Sequence, residues 1–298
     1  MSPMSDDRIA LLAFIGYSVL AGGNAVGVRF SNQELDPFWG ATLRFSLAAL
    51  VMLAAMFITG RRLPTGRALA GAVIYGLLAF GGAFAFAFYA LVELEAGFGQ
   101  ILLSVVPLLT LLLAALQGLE RLRLAPVVGA LLAVGGVVVM SGVAVSGAIP
   151  VGSVLAAVGA AVCFAQAALT VKRFPRVDPV VENAVGMTAG AVFLMGLTVV
   201  AGDTIAAPRQ VDTIWAVAYM VLIGSVVVFT LYVVVLDRWD ASRANYGFVI
   251  VPVVTVLVSA WLLDEPVTAG LVIGGALVLA GVYLGALRHR GHRHPVSP

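Results

Sequence analysis

The sequence predicts an all-α integral membrane protein with ten transmembrane helices arranged as two inverted five-helix repeats. Three observations carry that prediction. Of 298 residues, 61% are hydrophobic and 11% charged, with a mean hydropathy of +1.07, against roughly a quarter charged in an ordinary soluble domain. The apolar residues fall in successive runs of about 20, each long enough as a helix to cross a bilayer. The second half of the chain also repeats the first.

In order, the expected spans are 9–30, 38–59, 68–91, 96–119 and 124–146, then 151–171, 180–201, 214–236, 241–263 and 269–287, each bounded by charges, Pro or Gly. A transmembrane barrel would need strict alternation, which the runs lack. The first run follows Arg8 but is too long for a secretory h-region, so it reads as a retained signal anchor. Glycine without a triplet period excludes collagen, and apolar dominance excludes disorder. Cys163 is the only cysteine, so no disulfide framework exists within the chain.

With a cytoplasmic N-terminus, 14 of the 17 basic residues fall in inside segments, Arg29 and Arg209 fall outside, and Arg44 lies within a span. This bias predicts a cell (cytoplasmic) membrane location with both termini in the cytoplasm. The repeat is visible at a shift of 145, which pairs Ala96 with Ala241, Pro107 with Pro252, Glu120 with Glu265, Gly129 with Gly274 and Gly136 with Gly281. At a shift of 142, Asp36 and Pro37 fall on Asp178 and Pro179. Five spans per copy force the copies to opposite orientation. Such inverted repeats put a site at the midplane between the halves and permit alternating access. The expected units are 9–146, 147–287 and a basic cytoplasmic tail, 288–298.

The twofold pattern of Ala, Pro, Glu, Gly and Gly, with Gly23-Asn24 in the first span and Leu43-Arg44-Phe45 in the second, resembles the EamA-type repeat of the drug/metabolite transporter superfamily. The likeness covers about residues 9–287. It implies a ten-helix exporter or facilitator of small metabolites, often amino acids, with a cavity lined by the first, third and fourth helices of each repeat. The family often carries an aromatic two or three residues before the Asn24 position, where this sequence has Ala21 and Gly22.

The candidate substrate-binding residues are Tyr17 and Asn24 on one face of the first span; Phe84, repeated as Phe229, and Tyr89; Gln100 and Ser104, with Asn245 matching Gln100 under the repeat; Tyr246; and Gln166, with Thr170 on the same face. Carboxamides are costly against lipid and should face inward, toward either a ligand or a neighbouring helix. Pro107 and Pro252 each remove an amide donor mid-span and are the candidate gating residues. Arg44, whose repeat equivalent is Gly186, is a candidate charge site. Its alternative is to snorkel or to pair with Glu34, Asp36, Glu93 or Glu95. Glu182 reads as a surface partner of Arg173 or Arg176. Trp39, Trp215, Trp239 and Trp261 read as interfacial anchors.

Asp, Glu and His are absent from the deep part of every expected span, which argues against a proton-coupled cation antiporter. The expected function is therefore transport of small neutral or zwitterionic metabolites, outward or by exchange, with no cofactor, no metal and no nucleic acid partner. The partners are the substrate, the bilayer and, at most, a second copy, so the protein is a monomer or homodimer. The competing class is an integral membrane enzyme acting on a lipid-like substrate, which would need paired acids, a nucleophile with its base, or an internal histidine.

Overall fold

The computed structural model describes residues 6–118, 150–239, 241–245 and 247–284, with isolated helical residues between 128 and 139. The expected fifth span, Tyr246 and the basic tail lie outside the described residues or nearly so. All regular structure among the described residues is helical. Seven helices are long and apolar enough to cross a membrane: α1 (Asp7–Asn32), α2 (Pro37–Ile58), α3 (Gly66–Glu93), α4 (Ala96–Leu116), α5 (Val151–Arg173), α6 (Pro179–Ala201) and α7 (Val211–Arg238). A short helix, Ala241–Ala244, precedes α8 (Gly247–Leu262), and α9 (Ala269–Val282) follows. Leu50, Phe57, Val192, Val199 and Leu257 are exposed on the outer faces, where a bilayer rather than water suits them. The chain is a multi-pass membrane protein.

Local chemistry sets the boundaries. Asp36-Pro37 and Asp178-Pro179 open α2 and α6: proline's fixed φ suits the first turn, and Asp178 accepts the Val180 N–H at 2.9 Å. Gly202, at φ 75°, ends α6 in the left-handed region.

The two halves match in detail. α3 contains a π-helical segment, Leu77–Gly82, and α7 contains another, Leu222–Val227, which is 145 positions on. In α1 a 3-10 turn, Ala21–Gly23, interrupts the ladder.

Hydrogen bonds fix helix direction. We call the end where α1 begins the base and the opposite end the crown. Asp203, at the end of α6, accepts the N–H groups of Phe38 and Trp39, at the start of α2, both at 2.9 Å. Arg61, just beyond the other end of α2, pairs with Asp178 at the start of α6. α2 and α6 therefore run antiparallel. Where α3 crosses α6, Gly76 meets Gly186 so closely that an added Cβ would lie 2.2 Å from the Gly186 carbonyl oxygen.

The prolines differ in setting. Pro107 stands in the first turn of a new segment, Val106–Leu116, after α4 breaks at Ser104 and Val105, whereas Pro252 lies inside α8. Trp215 and Trp261 are largely exposed, as interfacial anchors would be, and the Trp39 indole donates to the Ala206 carbonyl at 2.6 Å. Trp239 departs from expectation: it is buried, with its ring 5.4 Å from that of Phe14. Its indole packs on α1 through Phe14 instead of lying at the outer face.

Candidate functional site

Between the halves, near mid-bundle, lies a cavity of about 80 Å³, several times the roughly 10–15 Å³ one water needs. Its walls come from α1, α3 and α4 of the first half and α5, α7 and α8 of the second. Phe84, Phe164, Phe229 and Phe248 form the phenyl part of the apolar wall, and Tyr17, Asn24, Gln100 and Tyr232 supply the polar groups. Phe84 and Phe229 stand 145 apart, as do Leu103 and Phe248, which also line it, so the repeat supplies the wall in pairs. An apolar enclosure with few oriented polar groups is the usual character of a small-molecule site.

The base end is closed by aromatic rings and hydrogen bonds that join one half to the other. The Tyr17 hydroxyl donates to the Ala244 carbonyl and accepts the Gly247 N–H at 3.1 Å. The Tyr232 hydroxyl donates to Asn245 Oδ1 at 2.5 Å, and Asn245 Nδ2 donates to Thr110 Oγ1 at 2.9 Å. The Tyr17 and Tyr232 rings meet edge to face at 5.5 Å, with Phe14 against Tyr17 on the far side. Gly247 permits this closure, since a Cβ there would lie 2.1 Å from the Tyr17 hydroxyl.

At the crown, Glu265 crosses from the second half to cap the N-terminus of α4, accepting the Ala96 N–H at 2.8 Å and the Gly97 N–H at 3.3 Å. Arg29 lies 3.7 Å from the same carboxylate and donates to the Leu91 and Val92 carbonyls. Burial and the neighbouring Glu265 push the Glu95 carboxyl up from its ordinary pKa, against the pull of Arg29.

The structure brings Tyr17, Asn24, Phe84, Gln100 and Phe229 together around the cavity. The other candidates lie elsewhere. Tyr89 is half exposed and lines a lateral groove with Phe38, Phe86 and Phe193. Ser104 donates to its own helix at the Ile101 carbonyl, 2.6 Å. Gln166 accepts from Gln117 Nε2 at 2.7 Å, an α4 to α5 link. Asn245, the repeat equivalent of Gln100, sits in the base closure. Pro107 and Pro252 are buried beside these elements.

Arg44 corrects an expectation. It neither snorkels nor pairs with Glu34, Asp36, Glu93 or Glu95 but is 0% exposed. Its Nε donates to Ser225 Oγ at 2.9 Å, and its Nη2 donates to Asn24 Oδ1 at 3.0 Å and to the Gly224 carbonyl at 2.9 Å. The guanidinium carbon lies 4.6 Å from the Phe84 ring centroid and 5.0 Å from that of Phe45, a cation–π arrangement. Gly224 belongs to the π-helical segment of α7, where the shifted ladder makes a carbonyl available. Glu182 is a second correction. It is buried, beside Asp237, Arg176 and Phe174 at the base, rather than a surface residue.

The EamA-like transporter family matches residues 8–142 and again residues 151–286. This chain belongs to that family. It is 26% identical to the uncharacterized inner membrane transporter YedA of Escherichia coli (strain K12), covering 91% of each chain. It is likewise 26% identical to a protein of Salmonella typhimurium named a probable amino-acid metabolite efflux pump, covering 97% of each. A solved crystal structure superposes with a TM-score of 0.69 at 25% identity, over 93% of this chain and 96% of its own. This EamA protein is accordingly a membrane transporter and not an enzyme.

Proposed function

We propose that this EamA protein moves small organic metabolites, neutral or zwitterionic solutes such as amino acids, across the cell membrane by alternating access, as an exporter or facilitated exchanger. The observation that carries the reading is the cavity between the halves with its two separate closures. Each set of contacts joins one half to the other, so in this reading releasing one while the other holds would give the cavity access to one side of the membrane at a time. Support for ten spans in inverted repeats comes from the antiparallel α2 and α6, and from the chain leaving the described part of α4 at the base and re-entering at Pro150 at the crown. The base is read as cytoplasmic from the distribution of Arg and Lys. Pro107 and Pro252, where a helix ladder is interrupted next to the closures, are read as gating positions.

The test is counterflow into proteoliposomes preloaded with a panel of metabolites, with and without a pH gradient, against protein-free vesicles. Accumulation of one solute class above the control is expected, without dependence on the pH gradient. Absence of exchange for every solute class would overturn the transport mechanism; dependence on the pH gradient would replace facilitation with proton coupling, and buried Glu182 would become the first residue to mutate.

A further inference from the structure

Arg44 carries a full positive charge into the bundle, and among the described residues every group it bonds to is neutral: a serine hydroxyl, a backbone carbonyl and an asparagine oxygen. Among the described residues its Nη1 is buried without a hydrogen-bond partner. A buried guanidinium with no counter-charge is costly, and natural structures normally supply the anion. The missing anion has one obvious place to arrive, because two of the residues touching Arg44, namely Asn24 and Phe84, also form the cavity wall.

Asn24 is the contact between the charge and the cavity. Arg44 can only donate, so the Asn24 oxygen must face it and the Asn24 NH2 is the end left to bond elsewhere. One N–H reaches the Gly224 carbonyl at a long 3.3 Å; the other is free for a ligand. The cavity thus presents a donor polarised from behind by a cation, and such a donor prefers an ionised acceptor. Gln100 adds an amide that no described residue hydrogen-bonds. Among the described residues the cavity lining contains no Asp or Glu, so an ammonium would meet aromatic faces and no carboxylate partner there.

We infer that the solute of this transporter is an apolar compound bearing a free carboxylate, which docks on Asn24 in front of Arg44 while its hydrocarbon or aromatic body lies against Phe84, Phe164, Phe229 and Phe248, and that an α-ammonium is not read. This rests on the transport reading and narrows it to carboxylates, with amino acids accepted through the carboxylate alone. Arg44 is a positioning residue, acting through the Asn24 amide.

The experiment uses the purified full chain in detergent and four solutes of one skeleton: 3-phenylpropionate, phenylalanine, 3-phenylpropionamide and 3-phenylpropylamine. Binding is read from ligand-dependent thermal stabilisation, with counterflow of the first two in proteoliposomes. The acid and the amino acid should bind within about threefold of each other and the amide and amine about tenfold or more weakly, the usual scale for losing a charge-assisted hydrogen bond. Arg44→Lys should keep the acid-to-amide ratio above one, Arg44→Gln should bring it near one, and Asn24→Asp should abolish acid binding while giving Arg44 a permanent partner. The ratio does not depend on abundance, so a destabilised Arg44→Gln is still informative, and Asn24→Asp supplies the answer if that variant does not fold. Amide binding equal to acid binding, a preference for the amine, an unchanged ratio in Arg44→Gln, or binding of none of the four overturns the inference. Binding of the acid with no counterflow of any solute would leave the carboxylate site standing and sink transport instead.

Discussion

At the residue scale, the decisive position is one whose side chain is a hydrogen atom. Gly224 lends its carbonyl to both Arg44 and Asn24, and a Cβ built on it would lie 1.9 Å from Asn24 Oδ1. Gly224→Ala must therefore push Asn24 out of its bond with Arg44. Overpacking of this kind costs about 1–3 kcal/mol, and it also leaves a buried guanidinium donor unmet. We expect a lower thermal midpoint in detergent and a loss of solute-dependent stabilisation; a variant with unchanged values for both would show that the Arg44 cluster is not built on this glycine. The charge of Arg44 was legible in the sequence, about seven residues inside its span, but its partners were not. Ser225 is 181 positions away, and Gly224 offers only a carbonyl that the π-helical turn makes available. Sequence polarity cannot reveal an acceptor that belongs to the backbone. Asn245 makes the converse point: it matches Gln100 by repeat register, yet Tyr232 and Thr110 consume its amide at the base closure.

At the element scale, the start of α4 shows how one half holds the other. Glu95 occupies the cap position, but its side chain makes no capping bond, and the carboxylate that satisfies the first amides of α4 is Glu265, from the other half. An anion at a helix N-terminus gains from the exposed N–H groups and the helix dipole, together about 0.5–2 kcal/mol. Glu265→Gln should lower stability by that order, measured by thermal unfolding, and Arg29→Gln should add less once Glu265 is gone, because the two share one interaction. Full additivity of the two losses would count against the shared cluster. Glu95 adds a pH effect. Its carboxyl is raised by burial and by Glu265, so the folded state binds its proton more tightly than the unfolded state does. The stability it contributes is present below the ordinary carboxylate range and is lost as pH rises through the raised value. Glu95→Gln should flatten that decline in thermal midpoint between the carboxylate range and neutrality; a decline as steep as in the parent would assign the effect elsewhere. The repeated glutamate was visible in the sequence at Glu120 and Glu265, but its task was not, because capping across halves depends on which ends meet in space.

At the scale of the whole molecule, the repeat and the apolar runs made the helical membrane architecture readable without coordinates, since each run announces its own length and each copy announces the other. What the sequence could not give is which contacts join one half to the other, and the geometry places these at the α2–α6 seam, at the base and at the crown. The seam between α2 and α6 is held at both ends, by Asp203 with Phe38 and Trp39 and by Asp178 with Arg61, and at an inner point by Thr42 and Thr198, whose hydroxyls are 3.0 Å apart. On the proposed alternating access, such a seam would serve as the axis about which the halves rock, and the base closure and crown clamp, which lie away from it, would be the contacts that exchange. Two cysteine pairs test this, both in a Cys163→Ala background, since Cys163 is the only native thiol. Thr42→Cys with Thr198→Cys should form a disulfide and leave counterflow within about twofold of its reduced value. Thr110→Cys with Asn245→Cys, replacing groups 2.9 Å apart across the base closure, should on oxidation stop counterflow, and reduction should restore it, which separates locking from loss of the side chains. Arrest by the seam cross-link, or free exchange through an oxidised base cross-link, would mean that the halves do not rock about α2 and α6, and a different moving element would have to be found.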